Sequence, residues 1–144
     1  MTMTDEPPFL VKQGQLQEEA VKWLYYNLPE SDWKAADITF CKAGPVGESV
    51  AELTYKDGHV EPFAPPREFV NALMDLRDFM ATLGKGAWLS AHLTVNKSGD
   101  YRWNFNHDER PPWRVPPTDE AYVLDLQKYP RPPEAIPAWY PRAN

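Results

Sequence analysis

WLSAHLTVNKSGDYRWNFNHD, residues 88–108, is the stretch whose reading decides the fold. Leu89, Ala91, Leu93 and Val95 share one parity, and Trp88, Ser90, His92 and Thr94 share the other, the period of two that sends successive side chains to opposite faces of a strand. The turn formers Asn96-Lys97-Ser98-Gly99-Asp100 interrupt the pattern. Alternation then resumes, with Tyr101, Trp103 and Phe105 set against Arg102, Asn104 and Asn106. Two half-buried strands joined by a tight turn form an antiparallel hairpin. Its aliphatic-plus-aromatic face is the kind of cross-strand pairing that stabilises a sheet by roughly 0.2 to 1 kcal/mol per pair. On this reading the hairpin is the centre of the sheet.

Just upstream, Phe69, Leu73, Leu76, Met80 and Leu83 recur at helical spacing, behind Pro65-Pro66 as a start signal and before Gly84 as a C-terminal cap. Such a helix packs on the sheet face bearing Leu89, Leu93 and Val95. Earlier still, Ala51, Leu53 and Tyr55 alternate with Val50, Glu52, Thr54 and Lys56 up to Asp57-Gly58, a hairpin signal. Residues 59–63 return as a short strand that Pro62 confines to an edge, because proline has no N–H for the ladder. Gly44-Pro45-Val46-Gly47 forms a turn from a first strand containing Ile38, Thr39, Phe40 and Cys41, and residues 29–36 read as a loop carrying Trp33.

At the N-terminus, Leu16, Ala20, Trp23, Leu24 and Leu28 outline a helix from Gln15 to its stop at Pro29, with Glu18, Glu19 and Lys22 on a solvated face. After the hairpin comes a proline-rich loop, residues 109–117, with Trp113 at its middle. A third helix follows, with Thr118 as N-cap, Asp119 and Glu120 in its first turn, Lys128 in its last, and a stripe of Tyr122, Leu126 and Tyr129. The expected fold is therefore a single α+β domain over residues 1–144, an antiparallel sheet of four to five strands with helices packed on it. The order is α-β-β-(β)-α-β-β-α. Residues 1–12 form a frayed lead-in, 13–129 the body, and 130–144 a proline-rich strap holding Ile136, Trp139 and Tyr140.

Charge and composition narrow the function. The chain carries 21 acidic and 15 basic residues, net charge −6, without a cluster of lysines and arginines, so the electrostatic footprint of a nucleic-acid binder is missing. The one cysteine, Cys41, excludes an intramolecular disulfide and fits a reducing compartment. Neither a basic-then-apolar leader nor an apolar run near the ~20 residues that span a bilayer is present. The expectation is a cytoplasmic protein with neither membrane nor nucleic-acid partner.

Reactive constellations are sparse. The chain has no phosphate-binding glycine loop, HExxH, paired-cysteine zinc motif or GxSxG elbow. His107-Asp108-Glu109 groups ligand-type side chains, but alternation sends neighbours to opposite faces, which favours a polar strand end over a metal site. Cys41 could act as a nucleophile beside a histidine from another strand, although its setting next to Phe40 favours a small buried apolar role. Such chemistry, in a small enzyme or ligand-binding domain, is the alternative function. The leading signal is instead the mixture of Trp103, Asn104, Asn106, His107, Asp108, Glu109, Arg110 and Trp113, aromatic anchors among amides and carboxylates, as protein interfaces use. No cofactor and no catalytic residue are expected.

The segment over residues 93–108, LTVNKSG followed by DYRWNFNHD, resembles the signature of the YezG-like family of bacterial immunity proteins. The order of elements over residues 16–129 is similar as well. Asn104 and Asn106 stand where that pattern more usually has acidic residues, His107 where an aromatic is common, and the proline-rich tail is an addition. The resemblance implies an antitoxin that binds and neutralises the toxin domain of a polymorphic or contact-dependent system, with Asp108 and Glu109 facing toxin cations and Trp103 or Trp113 filling a pocket.

Overall fold

The computed structural model describes residues 8–142. Its elements are α1 (Phe9–Tyr25), β1 (Trp33–Ala43), β2 (Val46–Tyr55), β3 (Val60–Phe63), α2 (Arg67–Ala81), β4 (Ser90–Asn96), β5 (Tyr101–Asn106) and α3 (Asp119–Lys128), with a single 3-10 turn at Pro133–Ala135. The five strands form one antiparallel sheet in the order β3-β2-β1-β4-β5. This is the α+β architecture and element order that the sequence predicts, with β3 on an edge. One placement differs. The 88–108 hairpin is not central; β1 is, paired along both sides, and β5 is the outer strand.

Register assigns the two faces. Ala36, Ile38 and Phe40 of β1 stand beside Leu53, Ala51 and Ser49 of β2 and beside Val95, Leu93 and Ala91 of β4, so their side chains project to one side. α1 and α2 cover that side with Ala20, Val21, Leu24, Phe69, Ala72 and Leu73, forming the main core. Trp88 and Phe105 close it at one end, with ring centroids 5.7 Å apart. The α2 stripe packs as its spacing predicts from Phe69 to Leu76, while Leu83 lies past the last helical residue and is exposed.

The N-terminal helix begins earlier than expected, inside the stretch read as a frayed lead-in. Phe9 stacks on Phe79 of α2 at 4.5 Å and Lys12 lies 5.8 Å over the same ring, which gives the first turn a tertiary anchor. Residues 1–7 lie outside the described residues. Trp23 is a second departure: it is 41% exposed, and Val21 occupies the core position instead. Trp33, read as part of a loop, opens β1 and is buried, its indole N–H donating to the Pro29 carbonyl at 2.7 Å.

On the other sheet face a smaller core of Ala43, Leu89, Ala121, Tyr122 and Tyr140 joins α3 and the C-terminal strap to one end of the sheet, with Trp113, Ile136 and Trp139 around it. The strap lies against the body through Ile136, Trp139 and Tyr140; residues 143–144 lie outside the described residues. Gly44 makes the junction possible. Its φ of +53° suits the β1–β2 turn, and a Cβ there would come within 2.6 Å of the Ala121 carbonyl oxygen. Thr118 precedes α3 without a side-chain capping bond.

Candidate functional site

Among the described residues, no helix lies over the far half of that second face. Asp37 and Thr39 of β1, Val50 and Glu52 of β2, His92 and Thr94 of β4, and Arg102 and Asn104 of β5 all project there, because cross-strand partners share a face. The surface is braced from within. Asp37 Oδ1 accepts from the Thr94 hydroxyl at 2.7 Å and lies 3.0 Å from His92 Nε2. Glu52 sits directly opposite Asp37 in the β1–β2 register, and its nearest cation is the Arg114 guanidinium at 3.7 Å. Like charges directly opposed on a sheet are destabilising. The fold carries that cost on its uncovered face.

The 109–117 loop borders this surface at the α3 end. Glu48 draws it in, its two carboxylate oxygens accepting the backbone N–H groups of Arg114 at 2.8 Å and Val115 at 3.0 Å. Cys41 stands opposite Glu48 and Ser90 in the sheet, buried. Loss of solvation, with the Glu48 charge adding to it, pushes the Cys41 thiol up to about 12. Nucleophilic chemistry needs the thiolate, which this setting suppresses.

The residues singled out in the sequence separate into different environments. Asn104 is exposed on the open face, whereas Trp103 points to the helix-covered face, half-buried, stacked on Phe105 at 5.4 Å. Asn106 shapes the chain that follows: its amide donates to the Ser90 hydroxyl at 3.1 Å and the Glu109 carbonyl at 3.0 Å, and its oxygen accepts from Glu109 N–H at 3.0 Å. These bonds fix the backbone of Glu109, whose side chain is exposed. His107 is half-buried and offers its carbonyl to Arg131 at 2.7 Å; burial, then the Arg131 charge, hold its imidazole below the ordinary histidine range. Asp108 keeps its carboxylate exposed while its carbonyl accepts from the Trp139 indole at 2.7 Å. Trp113 packs into the smaller core and donates to the Tyr122 hydroxyl at 2.9 Å. Asn104, Asp108 and Glu109 are thus presented to solvent, and Asn106, His107 and Trp113 hold the strap and loop in place.

Sequence reasoning missed Asp37, Glu52, His92 and Thr94 as members of one surface. Their alternation was readable, but only the pairing of β1 with both β2 and β4 brings them side by side. Two buried arginines were also missed. Arg77 bonds the Trp88 carbonyl at 2.7 Å and Asp125 at 2.9 Å, while Arg131 bonds the carbonyls of Ala87 at 3.2 Å and His107 at 2.7 Å. Among the described residues no helix is long and apolar enough to cross a membrane.

No protein-family model matches the chain, and no curated protein matches it significantly.

Proposed function

We propose that this protein is an immunity protein that binds the toxin domain of a bacterial toxin system and neutralises it by occluding an active site or another functional surface. The observation that carries the reading is the uncovered sheet face, where Asp37 and Glu52 stand directly opposite each other in the β1–β2 pairing. A cationic partner surface would relieve that repulsion on binding. The resemblance of residues 93–108 to the YezG-like signature supports the same reading, as does the net charge of −6, which speeds encounter with a basic partner. His92 and Thr94 on β4 and Asn104 on the outer strand β5 add hydrogen-bonding groups to the face, and exposed Glu109 adds acidic charge just past the end of β5.

Occlusion needs no reacting group in the inhibitor. It needs complementary shape and charge held without further ordering on binding, so that little entropy is lost in the complex. The bonds from Thr94 and His92 to Asp37 supply that order beforehand. The test is co-expression with the variable C-terminal domain of a large secreted toxin, which the reading expects to be encoded beside this chain. Growth restored by the intact chain supports the reading; continued toxicity despite soluble expression of both proteins opposes it.

A further inference from the structure

The sheet has two edges, and the chain treats them differently. β3 is four residues long, carries Pro62 and Glu61, and is the kind of short, interrupted edge that resists pairing with another strand. β5 has six residues, YRWNFN, with neither proline nor lysine. Asn96 N–H donates to the Asp100 carbonyl at 2.8 Å at the hairpin end, which makes Val95 and Tyr101 a non-hydrogen-bonded pair. Alternation along an antiparallel ladder then turns the N–H and C=O groups of Tyr101, Trp103 and Phe105 away from β4. Among the described residues no other hydrogen bond reaches those groups.

We propose that β5 pairs antiparallel with β5 of a second copy of this chain, Trp103 opposite Trp103, joining two sheets into one. The sequence of the strand selects both occupant and register. Opposed residues must share a sheet face, so a two-fold pairing centres on a residue rather than between two. Centring on Arg102 opposes two guanidinium groups and is disfavoured. Centring on Trp103 sets Tyr101 against Phe105 of the second copy on the helix side and Arg102 against Asn104 of the second copy on the open side. Every opposed pair is then aromatic or a cation facing an amide. Every outward-facing residue of β5 also gains a backbone partner, which an Asn104-centred register denies to Tyr101. Tyr101 is 45% exposed beside a groove of about 320 Å³ lined by Val21, Tyr25 and Tyr26, so α1 leaves room next to the strand.

The two-fold axis of such a pair runs perpendicular to the sheet, which places both helical layers on one side and both open faces on the other as one continuous surface. The proposal does not rest on the toxin reading and is tested without any partner protein. Sedimentation equilibrium of the full chain should give twice the 16.6 kDa chain mass at high concentration. Asn104→Lys, which places a lysine opposite each Arg102, should weaken the dimer by about tenfold, and Asn104→Asp should tighten it by a similar factor. Tyr101→Pro removes an outward N–H at the first position of the strand and should weaken association while the circular dichroism spectrum is kept. A chain that stays monomeric at the highest reachable concentration, or a dimer indifferent to both changes at Asn104, overturns the proposal. So does hydrogen exchange showing the Trp103 and Phe105 amides protected only when another protein is added.

Discussion

Arg77 of α2 and Asp125 of α3 form an ion pair at 2.8 Å with each side chain 3% exposed, and the pair ties the two layers of the molecule together around the end of the sheet. Each partner has further bonds: Asp125 accepts from Gly44 N–H at 2.9 Å, and Arg77 donates to the carbonyls of Trp88 at 2.7 Å and Lys42 at 3.2 Å. The guanidinium also faces the Trp88 and Tyr129 rings. A buried charge is tolerated when its bonds are complete, and removing one partner leaves the other stranded.

Asp125→Ala should therefore destabilise the fold by about 3 to 5 kcal/mol, measured by urea denaturation. The double change Arg77→Met with Asp125→Leu should recover much of that loss, since no charge is then buried alone. A single variant costing less than about 1 kcal/mol, the range of exposed pairs, would mean that the site is more open to water than its geometry indicates.

The Cys41 thiol, pushed up to about 12 by burial, leaves on the order of one thiolate in ten thousand at pH 8. A disulfide reagent such as Ellman's should leave the native protein unlabelled over minutes and label one thiol in denaturant. Rapid labelling of the native chain would revive the enzymatic alternative built on that residue.

His59, at the β2–β3 turn, is hydrogen-bonded by Asp57 and Glu61 and stacks on Tyr55 at 4.3 Å. The Asp57 hydrogen bond holds its imidazole above the ordinary histidine value of 6.5. Because the folded value exceeds the unfolded one, the contact stabilises the turn at pH below 6.5 and is lost as pH rises through the raised value. An NMR titration of the imidazole should find the raised midpoint in the wild type, and Asp57→Asn should bring it down. An unchanged midpoint in the variant would assign the shift elsewhere.

Local periodicity made most elements readable: the 88–108 hairpin, the α2 stripe and the Asp57-Gly58 turn each declare themselves within a few residues. Strand order did not, because β1 pairing with β4 joins residues 49 to 61 positions apart in the chain, and no local pattern distinguishes a central strand from an outer one. The open face was half legible. Alternation already put Asn104 and Trp103 on opposite sides, but the neighbours of Asn104 come from other strands. Nothing local in the sequence marks Arg77, Asp125 and Arg131 as buried, since burial of an ion shows only once its partners from distant segments are in place. The roles of His107 and Asp108 toward the strap run through their carbonyls, which side-chain chemistry does not announce.

The measurement that bears most directly on the central claim is a calorimetric titration of the toxin domain proposed as the partner into the wild-type chain and into Glu52→Lys with Glu109→Lys, both residues solvent-accessible and outside either core. The account predicts a saturating complex with the wild type and a loss of at least tenfold in affinity with the variant, at a thermal midpoint no lower than that of the wild type, since a lysine in place of Glu52 would face Asp37 as an opposite charge. Binding of equal strength by both proteins, or no binding by either, would contradict it.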